Sequence, residues 1–363
     1  MNAGAASPSL DNPLVSICVL TRNRAALLQE SLRTVCAQKY SPVEIIISDN
    51  ASTDQTERVC RELAENDPRV RYLRHPVDLG IYGNHNACVD ASRGALLCLF
   101  HDDDVYDPAI VGEYVEFLQE HPEVGLVCAD WHLIDEGGQT VGLRSFGQTR
   151  VIPGERYIEQ TVRSGRTSIA LSGAMMRRDA LADIRFTEDG PVGFEDFRVW
   201  CTIAERWDVG HVGRVLWSYR QHGGSLSRLS ILEMARQYRA NLFRYCDERV
   251  ARWPPDATLV AQYRRAIDRY LFWALLYEVS RYFRMREGVA GHGPARTIFD
   301  LGSYTLSPEE FAATLAAMRQ YGRGLRERVV FGALSLALAT GLTRPLAWAT
   351  RYSPVIRALV GLR

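Results

Sequence analysis

The sequence has one lysine, Lys39, among 43 basic residues, so its positive charge is almost all arginine. That bias carries no function by itself. There is no excess of either sign: 43 basic residues face 43 acidic ones, for a formal net charge of zero. A balance of this kind excludes a general nucleic-acid binder. None of the cysteines forms a C-x-x-C pair, which argues against a zinc site. Cys18, Cys98 and Cys128 sit inside apolar runs and read as small core residues of a protein from a reducing compartment. There is no Walker loop and no G-x-G-x-x-G, so no glycine cradle for phosphates. The opening "MNAGAASPSLDNP" has neither a basic nor an apolar signal region. Residues 1–12 read as a disordered lead-in.

What is present is a globular composition, 47% hydrophobic and 24% charged, over 363 residues. That length suits one large domain or two. From Leu14 short apolar runs alternate with helical periodicity. "LVSICVL" (14–20), "VEIIISD" (43–49), "VRYLR" (70–74), "ALLCLF" (95–100) and "VGLVCA" (124–129) read as strands. Helices are expected over 24–38, from a capping box at Ser52–Gln55 to about Asn66, and over Asn84–Arg93. Another should follow Asp107-Pro108 as N-cap and N1. The alternation predicts an α/β fold, a mostly parallel sheet with helices on both faces. Later, "WHLIDEGGQTVGL" reads as a hairpin about Gly137-Gly138 and "TSIALSGAMMRR" as a strand. "GFEDFRVWCTIAERW" reads as a helix with Glu195 and Asp196 in its first turn. "HVGRVLWSYRQHGGSLS" reads as a strand entering a Gly-Ser loop. From about Ile231 the chain reads as helical.

Ligands of such sheets sit at the C-terminal ends of strands. Three predicted strands end in polar residues: Thr21-Arg22-Asn23, Asp49-Asn50 and Asp102-Asp103-Asp104. Three adjacent carboxylates repel one another. Either the chain turns there in water, or a cation sits there. Mg²⁺ typically takes one or two carboxylates together with substrate phosphates.

The segments "VSICVLTRNRAALLQESLRTVCAQ", "VEIIISDNASTDQT", "DLGIYGNHNACVDASRGALLCLFHDDDVYDP" and "GFEDFRVWCTIAERW" follow the order and spacing of family 2 glycosyltransferases. Over about residues 13–228 the chain resembles that family, most of all the abequosyltransferase-like bacterial enzymes of surface-polysaccharide assembly. The resemblance implies a Rossmann-like GT-A catalytic domain at 13–228, with a helical C-terminal region at 229–363. It implies an inverting transfer from a nucleotide-sugar donor to a hydroxyl of a glycan or polyprenyl-linked acceptor, helped by Mn²⁺ or Mg²⁺.

By position, the resemblance places Thr21, Arg22, Asn23, Asp49, Asn50, Gly80 and Asn84 around the nucleotide, with Asp49 accepting a hydrogen bond from the base. Asp78 stands where the family usually has Asn. His101 replaces the leading Asp of the D-x-D-D form. Asp103 becomes the main metal ligand, with Asp104 a further one and Asp102 on the ribose or metal. Asp196 becomes the base, beside Glu195. An in-line displacement needs one carboxylate to take the acceptor proton. His222, in "YRQHGGSLS", is either a metal or phosphate ligand or a surface histidine in a glycine loop.

Two other classes compete. A sugar-phosphate nucleotidyltransferase would want G-x-G-T-R with a following Lys near the first strand, and "LTRNRAALL" lacks it. A non-catalytic sugar-binding scaffold would be expected to have lost Asp103 or Asp196, and both are present. Finally, residues 328–363 carry five arginines and no acidic residue, and 329–343 are uncharged. That run is shorter than the roughly 20 residues needed to span a bilayer. With Trp348 and Tyr352 it suits a lipid surface, or packing against the catalytic domain or a second subunit. The expected location is cytoplasmic, at the inner face of the plasma membrane.

Overall fold

The computed structural model describes residues 11–164, 169–187, 194–222, 231–286, 308–322 and scattered positions from 324 to 335. Its strands are β1 (Val15–Thr21), β2 (Val43–Asp49), β3 (Val70–Arg74), β4 (Leu96–His101), β5 (Val105–Tyr106), β6 (Val124–Ile134), β7 (Thr140–Arg144), β8 (Arg150–Ile152), β9 (Ala174–Arg177) and β10 (Asp208–Arg220). The helices are α1 (Ala25–Cys36), α2 (Thr56–Asn66), α3 (Gly80–Ala91), α4 (Ile110–Glu120), α5 (Gly154–Ser164), α6 (Arg178–Leu181), α7 (Glu195–Ala204), α8 (Ile231–Arg252), α9 (Ala257–Arg286) and α10 (Pro308–Tyr321). The chain divides into two compact units, residues 1–158 with 167–225 and residues 159–166 with 226–363.

The first unit is built on one mixed sheet of order β3-β2-β1-β4-β9-β6-β10-β5. The β3-β2-β1-β4 block is parallel. β9 runs antiparallel between β4 and β6, and β10 runs parallel to β6. β1 and β2 are buried along their whole length, which is why they read as unbroken apolar runs rather than alternating ones. β1 lies between β2 and β4, so chain order reverses beside it. That is the switch point where a crevice opens at the strand ends.

Some expected boundaries move, each for a local reason. α3 begins four residues before the predicted Asn84. Gly80 takes a left-handed φ of 73°, Asp78 Oδ1 accepts its N–H, and Asn50 Oδ1 accepts the N–H of Leu79. The capping box at Ser52–Gln55 does not form. Asp54 Oδ1 accepts the N–H of Thr56, while Ser52 Oγ accepts the N–H of Asn23. Asp107 accepts from Ala109 in a tight turn, so α4 starts at Ile110 rather than beside Pro108. The predicted 167–178 strand shortens to β9, and Thr167 and Ser168 lie outside the described residues. The hairpin about Gly137-Gly138 joins β6 to β7, with Gly138 at φ 81°.

At the opposite edge of the parallel block, Glu44 is a buried anchor. Its carboxylate accepts hydrogen bonds from Ser16 Oγ, the Arg93 backbone and side chain, and Arg71. This ties β1, β2, β3 and the turn before β4 together.

The second unit is helical. Leu242, Leu271, Phe272, Leu275 and Met318 are buried in it. Arg239 Nε donates to Asp268 Oδ1 at 2.6 Å, joining α8 to α9, and its guanidinium lies 3.9 Å from the Phe243 ring. No helix among the described residues is long and apolar enough to cross a membrane. The 328–363 segment, beyond a few positions up to 335, lies outside the described residues, as do 1–10 of the expected lead-in.

Burial pushes the Glu44 pKa up, but its hydrogen bonds outweigh that and leave it below the ordinary 4.5. Its stabilising effect is therefore complete above pH 4.5 and is lost as pH falls through the lower folded value. Glu44→Gln is expected to cost about 1–3 kcal/mol at neutral pH and to weaken the acid limb of stability. Urea unfolding across pH checks this; a variant as stable as the parent contradicts it.

Candidate active site

β4 ends at His101, and three carboxylates follow before β5 begins. β5 pairs antiparallel with β10 through Tyr106 and Trp217. The turn is therefore clamped between β4 and the end of β10. Phe100 and Tyr106 close it, their rings stacked 3.8 Å apart, while Tyr106 Oη accepts the His101 N–H at 2.8 Å.

The acidic turn is not a solvated one. Asp102 and Asp104 are buried, and each carboxylate meets a named donor. Arg24 Nη1 donates to Asp102 Oδ1 at 3.1 Å and to Asp103 Oδ2 at 2.7 Å. His222 Nε2 lies 3.0 Å from the same Asp103 oxygen. The backbone N–H of Arg220 donates to Asp104 Oδ1 at 2.9 Å. The Arg220 side chain, 2% exposed, reaches three elements. It donates to the carbonyls of Asp103 and Glu136 at 2.8 and 3.1 Å and pairs with Glu30 on α1 at 2.7 Å.

The three carboxyls differ in how they hold a proton. Burial first, then the charge of Asp103, raises Asp102 to about 6, against the pull of Arg24. Burial and Asp103 raise Asp104 well above the carboxylate range. Asp103 is buried too, but His101, His222 and Arg24 outweigh that and hold it below the usual value. Asp103 thus releases its proton more readily than either neighbour.

His101, Asp103 and Asp104 can each present one ligand atom, all within 4.8 Å of one another. Asp104 Oδ2 is buried without a well-aligned donor, although the Ser172 hydroxyl lies beside it. Two carboxylates and an imidazole around a buried, under-satisfied oxygen fit a small divalent cation. His222, expected either as a metal or phosphate ligand or as a surface histidine, meets Asp103 Oδ2 at 3.0 Å and is not one of these three.

The predicted nucleotide residues split into two groups. Thr21 ends β1, and Arg22, Asn23 and Asp78 are exposed beyond the strand ends. Arg22 forms an ion pair with Asp78, so the unusual Asp78 has a partner of opposite charge. Asn23, at φ 53°, accepts the Thr53 N–H at 2.7 Å. Asp49, Asn50 and Asn84 are turned into the framework. Asp49 is 0% exposed, its oxygens accepting from Tyr72 Oη at 2.6 Å and Ser52 N–H at 2.9 Å. As placed, it has no surface left for a base. Asn50 Nδ2 donates to Asp78 and to the Gly80 carbonyl, holding the loop before α3. Asn84 is bonded to Ser48 through both side chain and backbone.

α7 starts after Phe194, whose left-handed φ of 59° turns the chain. Glu195 is buried and committed: its Oε1 accepts from Arg198 Nη2 at 2.6 Å and from Thr187 N–H at 3.0 Å. Asp196 keeps part of its surface exposed. Burial chiefly raises it to about 7, with the charge of Glu195 adding and two backbone N–H groups opposing. Phe186 is docked on α3. Asn86 exchanges hydrogen bonds with Phe186, and the His85 ring lies between Phe186 at 5.1 Å and His101 at 6.0 Å.

Residues 16–185 match the sequence family described as "Glycosyl transferase family 2". The match covers just under half of the chain, which is therefore similar to that family over these residues. A relative from Campylobacter jejuni, named GalNAc(5)-diNAcBac-PP-undecaprenol beta-1,3-glucosyltransferase, is 34% identical over 93 residues, 25% of this chain and 30% of that protein. The structure of S. aureus TarS 1-349 in complex with UDP-GlcNAc superposes with a TM-score of 0.58 at 15% identity, covering 93% of this chain and 91% of that one. A mannosyltransferase from Pyrobaculum calidifontis, in complex with GDP-Man and Mn²⁺, superposes at 0.51 with 17% identity over 96% and 85%. At such identities the likeness is one of fold, the GT-A fold. The chain spans 23–37% of the length of the curated relatives it matches first.

The sequence reading missed Arg24 and Arg220 and gave His101 no role. Arg24 sits inside "TRNR" and Arg220 two residues before His222, so both adjoin residues that were singled out. Their partners lie 78 or more residues away, beyond any local signal. Arg220→Ala leaves two carbonyls unmet and the tip unbraced, and is expected to lower stability by about 2–4 kcal/mol. Denaturant unfolding checks this, and a loss under about 0.5 kcal/mol, the scale of an unimportant surface change, contradicts it.

Proposed function

We propose that this chain is an inverting glycosyltransferase. It moves a sugar from a nucleotide-sugar donor to a hydroxyl of a glycan or lipid-linked acceptor in bacterial cell-surface polysaccharide assembly, as in the abequosyltransferase-like group. One observation carries the reading. A chain similar to family 2 over residues 16–185 carries a metal-capable cluster at the end of β4 and, on α7, a carboxyl group that burial raises to about 7.

A divalent cation, Mn²⁺ or Mg²⁺, when bound, supplies charge that neutralises a leaving diphosphate. Asp103 and Asp104 would hold it, with His222 against Asp103. Arg22 and Asn23 would line the nucleotide side, while Asp49, Asn50, Gly80 and Asn84 would fix the loops that shape it. Asp196 takes the proton of the acceptor hydroxyl as that oxygen attacks the anomeric carbon. The bond to the diphosphate breaks in the same step, and its electron pair leaves with the nucleoside diphosphate. A single displacement inverts the anomeric centre. Glu195, tied to Arg198 and Thr187, keeps the first turn of α7 in place. UDP-GlcNAc and GDP-Man with Mn²⁺ in the fold neighbours, and the undecaprenol-linked name of the Campylobacter relative, support the donor, cation and acceptor classes. The inner face of the plasma membrane, met through residues 328–363, is the matching location.

A base must be ionised to work, so kcat/KM should rise with pH through the Asp196 value of about 7. Asp196→Asn is expected to lower kcat by roughly 10²–10⁴-fold with donor binding intact, and Glu195→Gln to cost less. Near-normal kcat in Asp196→Asn refutes the assignment. EDTA should abolish transfer and added Mn²⁺ restore it, and NMR of the product should show the inverted anomer. Retention of configuration would reject the mechanism.

A further inference from the structure

The sequence reading gave His101 no task, yet its ring belongs to the metal-capable cluster. A second histidine explains how that ring is held. His85, on α3, is 4% exposed. Its Nδ1 lies 2.7 Å from the carbonyl of Ile81, one turn back. That contact fixes the N–H on Nδ1 and leaves Nε2 as a lone-pair acceptor. Nε2 is buried and has no hydrogen-bond partner. A buried acceptor with no donor costs free energy, and folded proteins keep few of them.

Three rings pack against His85: Tyr82 at 6.0 Å, Phe186 at 5.1 Å and His101 at 6.0 Å, the last nearly edge-on at 80°. Phe186 has no donor. His101 alone among them carries a ring N–H and a place in the cluster. Histidines that bind metal commonly donate their second ring N–H to an acceptor, which fixes the tautomer and the ring orientation.

We propose that His101 is a nitrogen ligand of the divalent cation and that His85 Nε2 accepts its other ring N–H. His85 is then a positioning residue. The inference rests on the acidic turn being a cation site. Its consequence is selectivity: an imidazole in the ligand set favours a transition metal such as Mn²⁺ over Mg²⁺, which prefers oxygen alone. Two buried, under-satisfied atoms belong to this arrangement: Asp104 Oδ2 within the ligand set and His85 Nε2 on a ring packed against His101.

Pulsed EPR of Mn²⁺ bound to the full chain, without nucleotide, tests this. Directly bound nitrogen modulates the spin echo. The wild-type protein should show one such nitrogen, lost in His101→Asn and retained in His222→Asn. His85→Phe keeps the ring packing and removes the acceptor, and should weaken Mn²⁺ binding by roughly 10–100-fold. His85→Gln, which keeps an acceptor, should recover part of it. A wild-type spectrum with no bound nitrogen overturns the proposal and needs no variant to fold. So does a nitrogen signal that depends on His222 instead, and unchanged Mn²⁺ affinity in His85→Phe removes the positioning role. Metal-dependent sugar transfer without a nitrogen signal sinks this inference and spares the proposed function; a nitrogen signal without transfer does the reverse.

Discussion

Three carboxyl groups on consecutive residues, mostly buried, repel one another, and the first unit is arranged around that repulsion. Burial alone would push all three to the protonated form. Arg24, His222 and the Arg220 backbone offset it unequally, so Asp103 is held below the ordinary carboxylate value while Asp104 is pushed well above it. The partners come from three distant parts of the chain: the end of β1, the end of β10 and, through Glu30 beneath Arg220, α1. β5 exists as a two-residue strand whose pairing with β10 brings these parts together.

Sheet order supplies the setting. β1 stands between β2 and β4, so their C-terminal turns open on one crevice. Left-handed residues at Asn23, Ala51 and Gly80 make those turns sharp. Side-chain amides and carboxylates then tie one turn to the next: Asn23 to Thr53, Asn50 to Asp78 and Gly80, Asp54 to Ala25. Exposed groups at the front, Arg22 and Asp78, are held by groups that face inward. This division explains why a cluster of polar residues at strand ends does not all serve the ligand.

The strands were legible because buried parallel strands carry unbroken apolar runs, and Ile45, Ile46 and Ile47 leave little else to read. The helix over Glu195–Ala204 was legible from its period and its acidic first turn. The start of α3 was not, because Gly-Ile-Tyr-Gly has weak helix propensity and its turn is closed by Asn50 from another loop. The acidic turn could be located from sequence, but not the direction of its side chains. Asp49 and Asn50 look alike as strand-end polar residues; only Tyr72, Ser52 and Leu79, brought in by the fold, show that they point inward. Arg24 and Arg220 were hidden among 42 arginines, with nothing local to mark them.

The central claim is that this crevice takes a nucleoside diphosphate together with a divalent cation. Calorimetric titration of the full-length protein with UDP, dTDP, GDP and CDP, each with and without Mn²⁺, tests it most directly. The account predicts that at least one of them binds about tenfold or more tighter when Mn²⁺ is present, a difference of about 1.4 kcal/mol. Failure of all four to bind, or binding indifferent to Mn²⁺, would contradict it.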